Sequence, residues 1–359
     1  MVYCIDYIRR WKINITMGKK ISIIIPCYNV EKWVDRCLTS VTEQTIGLDN
    51  IEIICVDDCS TDGTLEKLYA WEQKYPEHFV IVESPENGRQ GQARNIGLQY
   101  ASTDWIAFID SDDWVEFDYL EYLFQYAQTG KYEIVCCSNI RDFSAELSFV
   151  EKTEKVRVKE LNLEYDEVRK QQIINPEITY SAWGKLFRKD FLVENDLFFP
   201  TNLTYEDAGW GSLVVLYANS VCISDKCLYH YFVNGQSTVL KKNSNHHLDC
   251  LTVQAWVWRE YIQRGFFESY YWELQMEHIY SCCLAGLKTL ILRYEEPDYN
   301  VYLLLRELVS DRIADYKDNP YVQAGRLSEL HLLMMGAFDK QLSKRQFEKF
   351  SELIKQIGI

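Results

Sequence analysis

Long apolar runs are missing from this sequence. No stretch approaches the roughly 18 apolar residues that a membrane-crossing helix needs, so no span is expected. Basic residues are also short. The chain has 38 Lys and Arg against 53 Asp and Glu, a formal net charge of -15. That deficit excludes a sequence-independent nucleic-acid binder, because phosphate backbones demand a Lys and Arg excess. Residues 240–359 hold 15 basic and 16 acidic residues, so almost all the acidic excess lies in the first 239. An acidic region that handles anionic substrates needs a cation to help it. None of the 12 cysteines forms a C-x-x-C spacing. The pairs Cys136-Cys137 and Cys282-Cys283 diverge on a strand or a helix, so neither makes a compact metal clamp. Cys37, Cys55 and Cys136 sit in apolar runs, where a thiol behaves as a small hydrophobe. The expectation is a reduced, cytoplasmic protein without disulfides. Repeats and low-complexity tracts are absent. Met1–Thr16 carries Asp6, Arg9, Arg10 and Lys12, which break a signal-peptide core. Met17 followed by Gly-Lys-Lys reads as a start, and residues 1–16 as a leader or arm outside the fold.

What is present is ample core material. The 359 residues are 47% hydrophobic and 14% aromatic, which excludes a disordered chain and allows two or three domains. From residue 21, strand and helix patterns alternate. Ile21–Ile25, Ile51–Val56, Phe79–Val82, Trp105–Ile109 and Glu133–Cys137 read as strands. Asn29 is placed to cap a helix whose apolar face is Trp33, Val34, Cys37, Leu38 and Val41. Asp62 is placed to cap a second helix, Ala93–Ala101 reads as a third, and Phe117–Gln128 as a fourth. This alternation predicts an α/β layer with a mostly parallel sheet flanked by helices. Residues 141–180 are polar and weakly periodic, and read as a variable elaboration. Residues 241–359 carry helical patterns broken near Pro297 and Pro320, and read as a helical C-terminal subdomain.

Ligands of such sheets sit beyond the carboxyl ends of the strands. There the sequence places Pro26-Cys27-Tyr28-Asn29, then Asp57-Asp58-Cys59-Ser60-Thr61-Asp62, then Asp110-Ser111-Asp112-Asp113. So many carboxylates at one edge repel one another, and a bound cation is the usual remedy. Asp110 and Asp112 are two apart, so an extended backbone aims both the same way. Hard oxygen ligands suit Mg²⁺ or Mn²⁺, which keep open positions for substrate phosphates. Asp57 and Asp62 also fit turn and helix-cap roles. Asn87-Gly88-Arg89-Gln90-Gly91 lacks the spacing of a dinucleotide fingerprint. Arg94, one turn into the following helix, is in reach of a phosphate or of the acidic cluster.

Together these residues resemble the family 2 glycosyltransferases with the GT-A fold. The resemblance rests on Pro26-x-Tyr28-Asn29, Val56–Thr64, Asn87-Gly88 with Gly91-x-Ala93-Arg94-Asn95-x-Gly97, and Asp110–Asp113, in register over residues 21–140. Trp183-Gly184-Lys185-Leu186-Phe187 and Tyr205-Glu206-Asp207 are similar to acceptor-side motifs of bacterial capsule and surface-polysaccharide members. The resemblance implies a GT-A catalytic domain over residues 17–240, with donor binding in 17–140 and the acceptor side in 141–240. It implies a nucleotide-sugar donor, usually a UDP-sugar. Tyr28 then stacks on the base and Asp58 binds its edge, with Pro26, Asn29, Arg94, Asp110 and Ser111 around the donor. Asp110, Asp112 and Asp113 are implied to hold Mn²⁺ or Mg²⁺. Asp207, beside Glu206, is implied to be the general base of an inverting transfer to a glycan or lipid-linked hydroxyl.

The sequence departs from the family at Cys59, where glycine is usual, and in Tyr229–Thr238, where relatives often carry Arg. His230 in that stretch reads as a packed histidine rather than a ligand. The Gln-x-x-Arg-Trp signature of processive synthases is missing, which favours single transfers. Two rivals remain open at this level. One is a catalytically silent sugar-nucleotide-binding or scaffold subunit, which would not hydrolyse a donor. The other is a glycoside hydrolase with paired carboxylates, which needs no nucleotide. Asp207 also fits a plain helix-cap role. The C-terminal helices are expected to rest on a membrane surface at most.

Overall fold

The computed structural model describes residues 18–144, 146–149, 156–234 and 241–357. Residues 1–16, read as a leader or arm, and the boundary at 240 therefore fall outside the described residues. The chain divides into two compact units. The first comprises residues up to Arg169, Ile178–Asn202 and Glu206–Asn234; the second comprises Lys170–Glu177, Leu203–Tyr205 and the residues from Gly235 onward.

The first unit is built on one sheet. Its strands are β1 (Ile21–Cys27), β2 (Ile51–Asp57), β3 (Phe79–Glu83), β4 (Trp105–Phe108), β5 (Trp114–Val115), β6 (Ile134–Asp142), β7 (Val158–Asn162), β8 (Lys185–Arg188) and β9 (Ser220–Phe232). Among the described residues they follow the order β3-β2-β1-β4-β8-β6-β9-β5, with β7 also on β9. Every residue of β1 and β2 is buried, as expected of strands covered on both faces. The polar exceptions satisfy one another. Ser22 Oγ donates to Glu52 Oε2 at 2.6 Å, and the Ser102 amide donates to the same oxygen at 2.9 Å.

The parallel part anticipated from the alternating pattern is β3-β2-β1-β4. Beyond it the sheet is mixed. β8 runs antiparallel to both β4 and β6, β5 and β7 run antiparallel to β9, and β6 pairs parallel with β9. β7 lies inside the stretch that the sequence presents as a variable elaboration. It carries Lys159 and Glu160 on an exposed edge, so its pairing with β9 left no apolar signal.

Helices α1 (Val34–Thr42), α2 (Thr64–Lys74), α3 (Arg89–Tyr100) and α4 (Tyr119–Ala127) connect the strands. α3 begins a full turn earlier than the pattern indicates. Its first turn is small and polar because Gly91 touches the chain at Pro200; a Cβ there would sit 2.3 Å from the Pro200 carbonyl oxygen. Gly97 lies equally close to β1, where a Cβ would meet Ile24 at 2.4 Å. After α5 (Asp166–Ile174) and α6 (Lys189–Glu194), α7 (Glu206–Tyr217) starts well before the apolar run Leu213–Tyr217 that marks it in the sequence.

The second unit is helical. It contains α8 (Asp249–Gln263), α9 (Phe267–His278), a π-turn (Ile279–Leu284), α10 (Ala285–Arg293), α11 (Tyr299–Arg312), α12 (Pro320–Gln323), α13 (Glu329–Asp339) and α14 (Lys344–Ile357). The breaks near the two prolines have local causes. The Asp298 carboxylate caps α11 just past Pro297, and Pro320 opens α12 with Asn319 as its cap. The core of this unit gathers Met276, Cys283, Leu287, Tyr302, Phe338 and Phe347. Among the described residues, no helix is long and apolar enough to cross a membrane. The 11 described cysteines are free.

Candidate functional site

Strand order reverses at β1, with β2 on one side and β4 on the other, and ligands of open α/β sheets sit in the crevice at such a point. Three loops leave the carboxyl edge there. Pro26 is buried one residue before the end of β1, in register with Val56, so it shapes the exit of the strand. Tyr28 follows with 49% of its surface exposed. Asn29 does not cap α1. It adopts a positive φ of 53°, which Asn tolerates, and its Oδ1 accepts the Thr61 amide at 2.8 Å. Its own amide donates to Ser60 Oγ at 3.1 Å, so Asn29 staples the first loop to the second.

In the second loop Asp57 and Asp58 are both buried. Asp57 Oδ2 accepts the Ser60 amide at 3.1 Å, and Asp58 Oδ1 accepts the Gly88 amide at 2.9 Å. The second oxygen of each is buried with no hydrogen-bond partner among the described residues. Burial lifts the Asp58 carboxyl above its ordinary range. A buried acceptor without a donor is costly, and a ligand N–H would relieve it. Cys59 holds φ at 63°, a left-handed conformation that glycine adopts more readily than a residue with a Cβ. Asp62 is a capping residue: its Oδ1 accepts the Thr64 amide at 3.0 Å, and its Oδ2 the Glu31 amide at 3.2 Å.

The third loop, Asp110–Asp113, separates residues that the sequence groups together. Asp113 corrects the reading of three metal ligands. It is 1% exposed, Tyr229 Oη donates to its Oδ2 at 2.7 Å, and the Phe232 amide donates to its Oδ1 at 2.8 Å. With both oxygens taken, Asp113 anchors the end of β9. Ser111 is buried and its side chain hydrogen-bonds Cys27. Asp112 Oδ2 accepts from Asn234 Nδ2 at 3.2 Å. Burial, then the nearby Asp110, push the Asp112 carboxyl up to about 6. Two crowded carboxylates, with that of Asp112 raised in this way, fit a hard cation. Among the described residues, no cluster of three or more His, Cys, Asp and Glu side chains could hold a metal. A cation at Asp110 and Asp112 would therefore take its remaining ligands from phosphate oxygens and water.

Arg94 faces the acidic cluster rather than open solvent. It is 2% exposed; Nη2 donates to Asp110 Oδ1 at 2.7 Å and Nη1 donates to Glu206 Oε1 at 2.5 Å. Burial opposes its charge, but Asp110, Glu206 and Asp207 outweigh that and keep it cationic. The pairing removes the phosphate-contact option for Arg94. It also separates Glu206 from Asp207. Glu206 is 2% exposed and tied to Arg94, which makes it an anchor rather than a catalytic group. Asp207, in the first turn of α7, is half-buried, and its Oδ1 accepts the Ala208 amide at 2.9 Å. Burial lifts its carboxyl above the ordinary value, Arg94 opposes the lift, and Asp110 adds to it.

Tyr229 and Arg36, which have no site role in the sequence reading, emerge here. Tyr229 accepts the Asp110 amide at 3.1 Å while donating to Asp113, and Trp183 stacks on it at 4.6 Å with the rings 13° apart. The Trp183-Gly184-Lys185 motif is thereby connected to the acidic loop. Lys185 Nζ, buried, donates to Thr179 Oγ1 at 2.8 Å and the Ser181 carbonyl at 2.7 Å, fixing the turn that presents Trp183. Arg36 of α1 also reaches the loop. Pairing across the sheet, which makes these contacts, leaves no short-range pattern in sequence. His230 is a packed residue, stacked on Trp114 at 4.8 Å with Nε2 2.9 Å from Glu116 Oε1.

The order and chemistry of these loops agree with the comparisons. Residues 22–194 match the model of glycosyl transferase family 2. The chain carries a family 2 glycosyltransferase domain. Poly(ribitol-phosphate) beta-glucosyltransferase of Bacillus spizizenii is 31% identical to it over 216 residues, covering 60% of this chain and 32% of that protein. The putative glycosyltransferase EpsH of Bacillus subtilis is 31% identical over 228 residues, covering 61% of this chain and 62% of that protein. The chain thus spans between about a third and three fifths of the length of these relatives. The crystal structure of S. aureus TarS 1-349 in complex with UDP-GlcNAc superposes with a TM-score of 0.66 at 20% identity, covering 94% of this chain and 92% of that one. The family 2 domain therefore has the GT-A fold.

Proposed function

We propose that this protein is an inverting glycosyltransferase that moves one sugar from a nucleotide-sugar donor, a UDP-sugar, to an acceptor hydroxyl in bacterial surface-polysaccharide synthesis. The observation that carries the reading is the convergence, around one buried arginine, of Asp110 from the acidic loop with Glu206 beside Asp207. Donor-side and acceptor-side carboxylates are thereby locked into a single network. The UDP-GlcNAc held by S. aureus TarS supports a uridine donor, and the names of the relatives support a glycan acceptor.

In this reading Tyr28 stacks on the base, and the unpartnered oxygen of Asp58 accepts its N–H. Asp110 and Asp112 hold a divalent cation, Mn²⁺ or Mg²⁺. Such an ion, when bound, neutralises the charge that grows on the departing diphosphate. Asp207 takes the proton from the acceptor hydroxyl as that oxygen attacks the anomeric carbon from the face opposite the leaving group. The C1–O bond to the diphosphate breaks as the new C1–O bond forms, so the configuration inverts. Arg94 holds Asp110 and Glu206 in place throughout. A position against the inner face of the cell membrane belongs to the same proposal, since acceptors of this kind are often lipid-linked.

Calorimetry with UDP tests the donor site. Affinity is expected to fall sharply when a chelator is added, and to fall again in Asp112→Asn; equal affinity with and without Mn²⁺ would remove the cation from the reading. Tyr28→Ala is expected to weaken UDP binding by about 1–3 kcal/mol, the usual value of one aromatic–base stack. An unchanged affinity would mean that the exposed ring does not meet the base. Hydrolysis of a UDP-sugar in the presence of Mn²⁺ separates an enzyme from a silent binding subunit.

A further inference from the structure

The acidic loop is held from behind by a cation that no motif contains. Arg36 lies on α1, and its guanidinium carbon sits 4.0 Å from the centre of the Trp114 ring and 4.3 Å from that of Phe232. Those two rings flank the acidic loop and the end of β9. From this slot Nη2 donates to the main-chain carbonyl of Asp112 at 2.5 Å, and Nη1 to that of Ser144 at 3.4 Å. Asp113, Asp112 and Asp142 all lie within electrostatic reach of the guanidinium. On its other side the Asp112 carboxylate is held by Asn234, two residues past the Phe232 ring that stacks on Arg36.

We propose that Arg36 is a positioning residue for the donor site. It fixes the main chain of Asp112 from below, and so aims the Asp112 carboxylate at the place where the diphosphate and its cation bind. This rests on the donor-site reading above. The planar fork matters physically. A guanidinium stacks between aromatic faces and donates in its own plane, whereas an ammonium on a flexible stem does neither well. The charge also offsets the crowding of Asp112 and Asp113 without occupying either carboxylate's outward lone pairs. Arg94 performs the matching task for Asp110, so each of the two donor-side aspartates has its own arginine, Arg94 buried and Arg36 half-buried.

The test uses the full chain in three forms: parent, Arg36→Met and Arg36→Lys. Calorimetry measures UDP affinity with Mn²⁺ and with chelator, and the ratio of the two is the readout. In Arg36→Met that Mn²⁺-dependent gain is expected to fall about tenfold, the value of one charge-assisted hydrogen bond, while the chelated affinity stays within about twofold. Arg36→Lys is expected to recover part of the gain. If the gain is unchanged in a folded Arg36→Met, or if chelated and Mn²⁺ affinities fall together, the proposal is overturned. Should Arg36→Met fail to fold, Arg36→Lys carries the same measurement with a smaller expected loss. A parent without any Mn²⁺-dependent gain would instead defeat the cation part of the donor-site reading. Hydrogen exchange of the Asp110–Asp113 amides in the ligand-free chain then decides for Arg36: faster exchange in Arg36→Met supports positioning, and equal exchange overturns it.

Discussion

Asp207→Asn is expected to fold as the parent does, to bind UDP with Mn²⁺ as tightly, and to transfer sugar at least about a hundredfold more slowly, the usual loss for a missing general base being 10²–10⁴. The stability half of this expectation follows from the geometry. Asp207 Oδ1 accepts the Ala208 amide at 2.9 Å, and an asparagine Oδ1 makes the same bond. Asn is also as good as Asp at the start of a helix, so α7 loses little. The rate half follows from protonation chemistry. An amide takes no proton, and burial lifts the Asp207 carboxyl above its ordinary value, which makes it a stronger base than an exposed aspartate. Product analysis of the parent by NMR should show an inverted anomeric centre. Near-parent turnover in Asp207→Asn would reduce Asp207 to a helix-terminal residue.

Arg94→Met is expected to be the most destabilising single change at the site. Arg94 is 2% exposed and bridges Asp110 and Glu206. Replacing it with a side chain of similar length keeps the packing against Phe199, 5.3 Å away, but leaves Glu206 buried without its cation. Breaking a buried ion pair from one side typically costs about 3–5 kcal/mol, because the remaining charge is uncompensated. Urea denaturation should show a lower midpoint at an unchanged slope. The double variant Arg94→Met with Glu206→Gln should regain a substantial part of the loss, since one stranded charge is removed. A single variant as stable as the parent would mean that the three groups are not coupled in solution.

Local sequence marks some of these residues and not others. Asp57, Asp58, Asp110 and Asp112 stand out in the sequence because each sits within three positions of the end of an apolar run, and the end of a buried strand is easy to see. Asp113 carried the same local signal and does a different job. Its partners, Tyr229 and the Phe232 amide, are more than a hundred residues away and come from β9. Arg94 was placed in reach of either a phosphate or a carboxylate, and only the arrival of Glu206 from α7 decides between them. Arg36 offers no sequence signal, because an arginine on a helix face is ordinary until two aromatic rings from other elements close on it.

The sequence by itself determined the alternating α/β frame, the helical second half, and the edge on which the carboxylates gather. Those features depend on local periodicity and on where apolar runs stop, and both are written residue by residue. The tertiary structure decided which carboxylates remain available and which are consumed as anchors. It also decided that β8 runs antiparallel to β4 and β6 and β7 antiparallel to β9, and that Arg94 and Arg36 each stand behind one aspartate. Those outcomes depend on pairings across the sheet between residues far apart in the chain. A hydrogen-bond partner uses up a lone pair whatever its sequence distance, and that distance is the information a linear pattern does not carry.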